Sequence, residues 1–87
     1  MQALSKRIRV TLVHPVEVDG SRYAELRVRP AKRKDRVELR PDRSQFENGV
    51  ALAARLCGVP VAVVLALDPE DSDRLTNAVA AQIAAGR

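Results

Sequence analysis

VEVDGSRYAELRVRPAKRKD, residues 16–35, decides how this chain folds. Asp19-Gly20 is a turn signal between two alternating runs. Upstream, RIRVTLVHPVEV (7–18) sets Ile8, Val10 and Leu12 on one face and Arg9 and Thr11 on the other. Downstream, YAELRVR (23–29) sets Ala24, Leu26 and Val28 on one face. Two strands with one apolar face each, joined by a tight turn, make an antiparallel hairpin that needs a cover. The register constrains the loop. With a two-residue loop and regular pairing, Leu12 lies opposite Arg27 and Val10 opposite Arg29, so the apolar faces mismatch. One irregularity is therefore predicted. Pairing Leu12 with Leu26 and Val10 with Val28 makes Val18-Asp19-Gly20 the loop, with Gly20 left-handed in a bulge. The alternative is a bulge at His14-Pro15.

Pro30 closes the second strand and suits the first turn of a helix. That helix, AKRKDRVELR (31–40), has a thin apolar face of Ala31, Val37 and Leu39 and is mostly solvated. Ser44, with Glu47 three residues on, forms a capping box. It opens an apolar helix over residues 45–57, with a stripe of Phe46, Val50, Ala53, Ala54 and Cys57 widened by Leu52 and Leu56. Gly58 is a left-handed stop, with Pro60 behind it. VAVVLA (61–66) fits either a helical turn or a strand. Asp68 caps the last helix, Pro69 takes its first position, and Glu70 and Asp71 complement its dipole. Leu75, Ala78, Val79, Gln82 and Ile83 form its core stripe. Its other side carries Ala80, Ala81, Ala84 and Ala85 in place of charge, which points to a helix–helix or subunit contact. The fold class is α+β: an N-terminal antiparallel β-hairpin packed on about three α-helices, in a single domain over residues 1–87.

Apolar residues make up 46% of the chain, but Tyr23 and Phe46 are its only aromatics, so Leu, Val, Ile and Ala must build the core. The net charge of +4 is unevenly spread. Residues 27–43 hold eight basic and three acidic groups, whereas residues 44–87 hold three basic and five acidic groups. A lone cysteine, Cys57, makes no internal disulfide and fits a reducing cytosol. Met1 to Val13 alternates in charge and lacks the apolar core of a signal peptide. The longest apolar region, VALAARLCGVPVAVVLAL (50–67), contains Arg55 and breaks at Gly58-Val59-Pro60, and each half is too short to cross a bilayer.

No catalytic, cofactor-binding or metal-binding constellation is visible, and an enzyme is not expected. His14 lacks partners at triad or metal spacing. Cys57 ends a helix, where the dipole disfavours a thiolate. Asp68, Glu70, Asp71 and Asp73 read as helix-capping acids and do not have the spacing of a calcium loop. The one charged candidate is a basic surface of Arg27, Arg29, Lys32, Arg33, Lys34 and Arg36. Stacking aromatics are nearly absent, and Asp35, Glu38 and Asp42 interrupt the run and can pair with its cations. A solvated or protein-facing surface is the expected reading. Phosphate contact, in a small basic nucleic-acid-binding or regulatory protein of phage origin, is the alternative.

Taken in order, HPVEVDG (14–20), AELRVRP (24–30), Asp35, LCGVP (56–60) and LDPED (67–71) resemble the small tail assembly chaperones of contractile-tailed, Mu- and P2-like bacteriophages. The resemblance covers about residues 8–84. Ser72 departs from it, standing where the family usually has an aromatic, and VELRPDRSQF (37–46) is more charged than its counterpart. The resemblance implies a non-enzymatic role without cofactors, in the host bacterial cytoplasm and away from any membrane. Such chaperones bind the tape measure protein, shield its long helical apolar surface, and are absent from the finished virion. Tail-tube protein replaces them as it polymerises. The resemblance also implies self-association and a frameshifted longer form. A chaperone of this kind needs exposed apolar or small-residue surface. The candidate partner-binding residues are Val61, Val64, Leu75, Val79, Ala80 and Ala84.

Overall fold

A computed structural model describes residues 7–37 and 40–85; the side chains of Arg36 and Val37, and residues Glu38 and Leu39, lie outside the described part. The expected contributions of Val37 and Leu39 to a helix face, and of Arg36 to the basic surface, therefore lie outside it as well. The order is strand β1 (Ile8–Val18), strand β2 (Ser21–Val28), then helices α1 (Arg33–Val37), α2 (Gln45–Cys57), α3 (Val61–Leu65) and α4 (Pro69–Ala85). This is the α+β hairpin-and-helices architecture that the patterning predicts. VAVVLA resolves as the short helix α3.

The hairpin register differs from the three-residue-loop reading. Asp19 (φ 51°) and Gly20 (φ 81°) are both left-handed, as a two-residue type I′ turn requires. Val18 pairs with Ser21, and Val16 with Tyr23. Pairing then lapses and resumes at Thr11 opposite Glu25, with Val10 opposite Leu26 and Ile8 opposite Val28. Residues 12–15 of β1 thus stand against Ala24 alone. The irregularity sits at His14-Pro15, and the pairs Leu12–Leu26 and Val10–Val28 do not form. The reason is local chemistry at both ends. Asp tolerates left-handed backbone, so the tight turn is accessible. Pro15 has no N–H to withdraw from a ladder, which suits it to a bulge. The odd offset restores apolar partners to Val10, and Leu12 is buried within the bulge itself. Ala24, expected on the apolar face, is exposed.

The bulge strips backbone N–H groups from the ladder, and such groups need acceptors. Asp71 supplies them: its carboxylate accepts from Val13 N–H and His14 N–H, each at 3.0 Å. Arg74 donates to Thr11 O at 2.6 Å and to Asp71 Oδ1 at 3.2 Å. Asp68 accepts from Asp71 N–H at 2.9 Å, capping α4 as predicted, and its Oδ2 lies 3.3 Å from His14 Nε2. The first turn of α4 is therefore fastened across the kink in β1. His14 has a structural role, through its backbone.

The far end of β2 is fastened as firmly. Arg29 N–H donates to Leu56 O and Ala31 N–H to Gln82 O, both at 3.2 Å. Gln82 Nε2 donates to Val28 O at 2.7 Å. Ala31 is drawn into the core, so α1 starts at Arg33 and Pro30 does not enter its first turn. Around these ties Val10, Leu26, Val28, Leu56, Val63 and Leu75 form the centre of the core.

Asp35 closes this end. Arg29 holds it through two parallel bonds, 2.9 and 3.0 Å, Arg55 Nε donates at 2.6 Å, and Lys32 N–H at 2.7 Å. The carboxylate is fully buried. The Arg29 guanidinium, followed by Lys32 N–H and Arg55, outweighs burial and holds its pKa well below the usual carboxylate range. At Asp71 burial is the largest single influence and works to raise the pKa, but the N–H groups of His14 and Val13, with Asp68 and the Arg74 charge, together outweigh it and leave the pKa lowered.

Both shifts have the same consequence. Each carboxylate stays ionised in the folded chain at a pH where the unfolded chain takes up a proton, so each contributes stability above about pH 4 that is lost as pH falls through the folded value. The urea midpoint should hold steady through mildly acidic pH and fall steeply below about pH 4. Asp35→Asn should flatten that fall. It should also lower stability at neutral pH by about 2 kcal/mol, below the usual cost of breaking a buried pair because the side chains of Arg29 and Arg55 are partly exposed. Urea titrations of both proteins across pH 3–7 check this; parallel pH curves would contradict it.

Candidate partner-binding groove

Helix α2 is built to reach past the core. Ser44 Oγ accepts from Glu47 N–H at 3.0 Å and Glu47 Oε1 from Ser44 N–H at 2.9 Å, the capping box the sequence predicts. Asn48 is tied to the Arg40 backbone by two further bonds, 3.1 and 2.8 Å. At the other end Gly58 is left-handed (φ 69°) and its N–H returns to Arg55 O. Between these caps the buried residues are Leu52, Ala53, Ala54 and Leu56; none of residues 45–51 is buried. Of the stripe that the periodicity predicts, Val50 and Cys57 are half-buried, and Phe46 is 71% exposed.

Two grooves meet at Phe46 and Val50. One runs between α2 and α4, with Val64, Leu75 and Val79 on its floor and Ser72 and Thr76 on its rim. The other runs between α2 and α3, lined by Ala51, Val61 and Leu65 with Arg43 and Glu47 beside them. Ser72, the departure from the resemblance, is a small polar side chain that leaves its end of the first groove open.

The candidate partner-binding residues divide across this surface. Val61 and Val64 stand at the grooves, one exposed and one half-buried. Leu75 and Val79 belong to the core and offer the groove their edges. Ala80 and Ala84 are exposed further along α4, outside the two grooves. Val50 and Leu65 lie in the apolar segment 50–67 that the sequence offers as partner surface, whereas Phe46, Gly49, Ser72 and Thr76 line the grooves without being among the partner-binding candidates. The signal for Phe46 was an apolar arc on α2 wider than one core contact needs.

The basic surface is smaller than the composition suggests. Arg27, Lys32, Arg33 and Lys34 are exposed, and Arg27 pairs with Glu25 at 3.1 Å. Arg29 is a correction: its guanidinium is committed to Asp35 and Pro30 O, and its side chain is 25% exposed. Arg55 is committed to the same carboxylate. Cys57 is half-buried, with its thiol pushed up to about 11 by burial. Among the described residues no three His, Cys, Asp or Glu side chains gather as metal ligands, and no helix is long and apolar enough to cross a membrane.

Over residues 9–83 the chain matches the family described as phage tail assembly chaperone proteins, E, or 41 or 14. It belongs to that family. No curated protein and no solved structure matches it. The hairpin, the LCGVP stop and the LDPED start that carry the resemblance all lie within the matched span.

That division between core and groove is measurable. Leu56→Ala should cost about 3 kcal/mol in the urea midpoint, as a buried large-to-small change does. Phe46→Ser should cost under about 1 kcal/mol, because its side chain is mostly in water already. Equal losses in the two variants would mean that Phe46 belongs to the core.

Proposed function

We propose that this chaperone covers an apolar helical stretch of a tape measure protein and keeps that client soluble until the tail tube forms around it. The observation that carries the reading is the α2–α4 groove: an apolar floor of Val64, Leu75 and Val79 beside an exposed Phe46, on a domain whose polar ties lie elsewhere. A helix with one apolar face lays such a face into a groove by residues one turn apart. The groove is shallow. Covering Phe46 is worth about 2 kcal/mol, so one site gives a weak and exchangeable grip. Weak grips suit a client that must later be handed over. A long helical client offers the same face many times, and several copies along it bind cooperatively through proximity.

This role is non-catalytic and belongs to the host cytoplasm, before the virion is complete. Co-expression tests it. The chaperone should raise the soluble yield of the tape measure protein from the same phage several-fold. Thr76→Arg, which sets a charged side chain on the groove rim, should abolish that gain while leaving the fold intact by circular dichroism. Rescue by Thr76→Arg equal to the parent's would move the client elsewhere, and no rescue by the parent would end the reading.

A further inference from the structure

Two of the glycines among the described residues have a backbone reason to be glycine. Gly20 and Gly58 are left-handed, one in the hairpin turn and one at the end of α2. Gly49 is different. It stands fifth among the 13 residues of α2, and its φ is not positive. Glycine inside a helix is less stable than alanine, because it loses more backbone freedom on folding. A crowded neighbour could require it, but a Cβ placed on Gly49 would meet no atom of the surrounding structure within 4 Å. Alanine would fit there without strain and strengthen the helix. The isolated domain gives no reason for glycine at this position.

The groove between α2 and α4 gives one. Gly49 is exposed and forms part of the α2 wall, across from Ser72 and Thr76 and above the floor of Val64, Leu75 and Val79. The missing side chain leaves that stretch of wall as bare backbone. We propose that Gly49 sets which helical faces the groove accepts, by admitting a large apolar side chain of the client, leucine or methionine in size, against the α2 backbone. The inference rests on the client reading and adds to it the size of the side chain that is recognised. The floor is aliphatic, so the entering side chain is apolar. An alanine at that point of the client would leave the hollow part-filled and forgo contacts that a larger side chain makes with floor and wall.

Substitution at Gly49 tests this, because stability and binding should move in opposite directions. Gly49→Ala should raise the urea midpoint by about 0.5 M. In co-expression it should nevertheless cut the soluble yield of the tape measure protein from the same phage to about a third of that given by the parent. Gly49→Leu fills the hollow with the chaperone's own side chain and should abolish the gain while circular dichroism shows a folded chain. Two labelled amphipathic helical peptides of about 20 residues, alike except that the apolar face is leucine in one and alanine in the other, give the size preference by fluorescence anisotropy. The parent should bind the leucine peptide at least about tenfold more tightly, and Gly49→Leu should lose most of that difference. A Gly49→Ala variant that rescues the client as well as the parent does overturns the inference, as does a leucine preference unchanged in Gly49→Leu. A lowered urea midpoint in Gly49→Ala overturns it too, since the glycine would then have a structural reason. Where the parent rescues and Thr76→Arg does not, those outcomes leave the client reading standing; a parent that rescues nothing removes both.

Discussion

The Asp71 carboxylate is the constraint on which the rest of the structure depends. A hairpin turned by Asp19-Gly20 sets its strands in a register that opposes Val10 with a cation. Only an odd insertion further along restores the apolar match. Residues 12–15 make that insertion, and they leave two N–H groups without a ladder partner. Asp71 accepts both from the first turn of α4. The same bond pair therefore corrects the register and sets the entry of the longest helix. Because α4 then lies against β1, Leu75, Ala78 and Val79 meet the strand residues that the corrected register has turned inward.

Asp35 does for the other end of β2 what Asp71 does for β1. Its partners come from the strand exit, the loop before α1 and the last turn of α2, so one carboxylate gathers three segments. This commits the guanidinium groups of Arg29 and Arg55 to one carboxylate and takes Arg29 out of the basic run. It also anchors α2 by its C-terminal end. The N-terminal half, held by its own capping box, is free to stand away from the core with Phe46 at its tip. Anchorage at one end of α2 is what opens a groove on each side of the other.

What was legible in the sequence was local. The Asp-Gly turn, the Ser44–Glu47 box, the Gly58 stop and the Asp68-Pro69 start each depend on neighbours within a few residues, and all are found where the pattern places them. The existence of an irregularity in β1 was also legible, since it follows from parity alone. Its location was narrowed to the turn or His14-Pro15 but not decided between them, because the group that stabilises the second is Asp71, 57 residues beyond His14. In the sequence Asp71 is indistinguishable from the other acids of a helix start. Phe46 was misplaced for a related reason: periodicity gives the width of an apolar arc and does not say which edge of it meets the core. Arg29 looked like its neighbours in the basic run until the fold brought Asp35 beneath it.

These three cases share a physical origin that bears on function. In a domain this small the core is built from aliphatic side chains, and the frame around it is held by buried carboxylates that collect backbone N–H groups and guanidinium ions. A frame held by directional polar bonds does not need its largest apolar side chain inside. Phe46 can stand in water without loosening the fold, because nothing in the ties at Asp35 or Asp71 passes through it. A chaperone requires that separation: apolar surface that can be covered and uncovered while the domain stays folded.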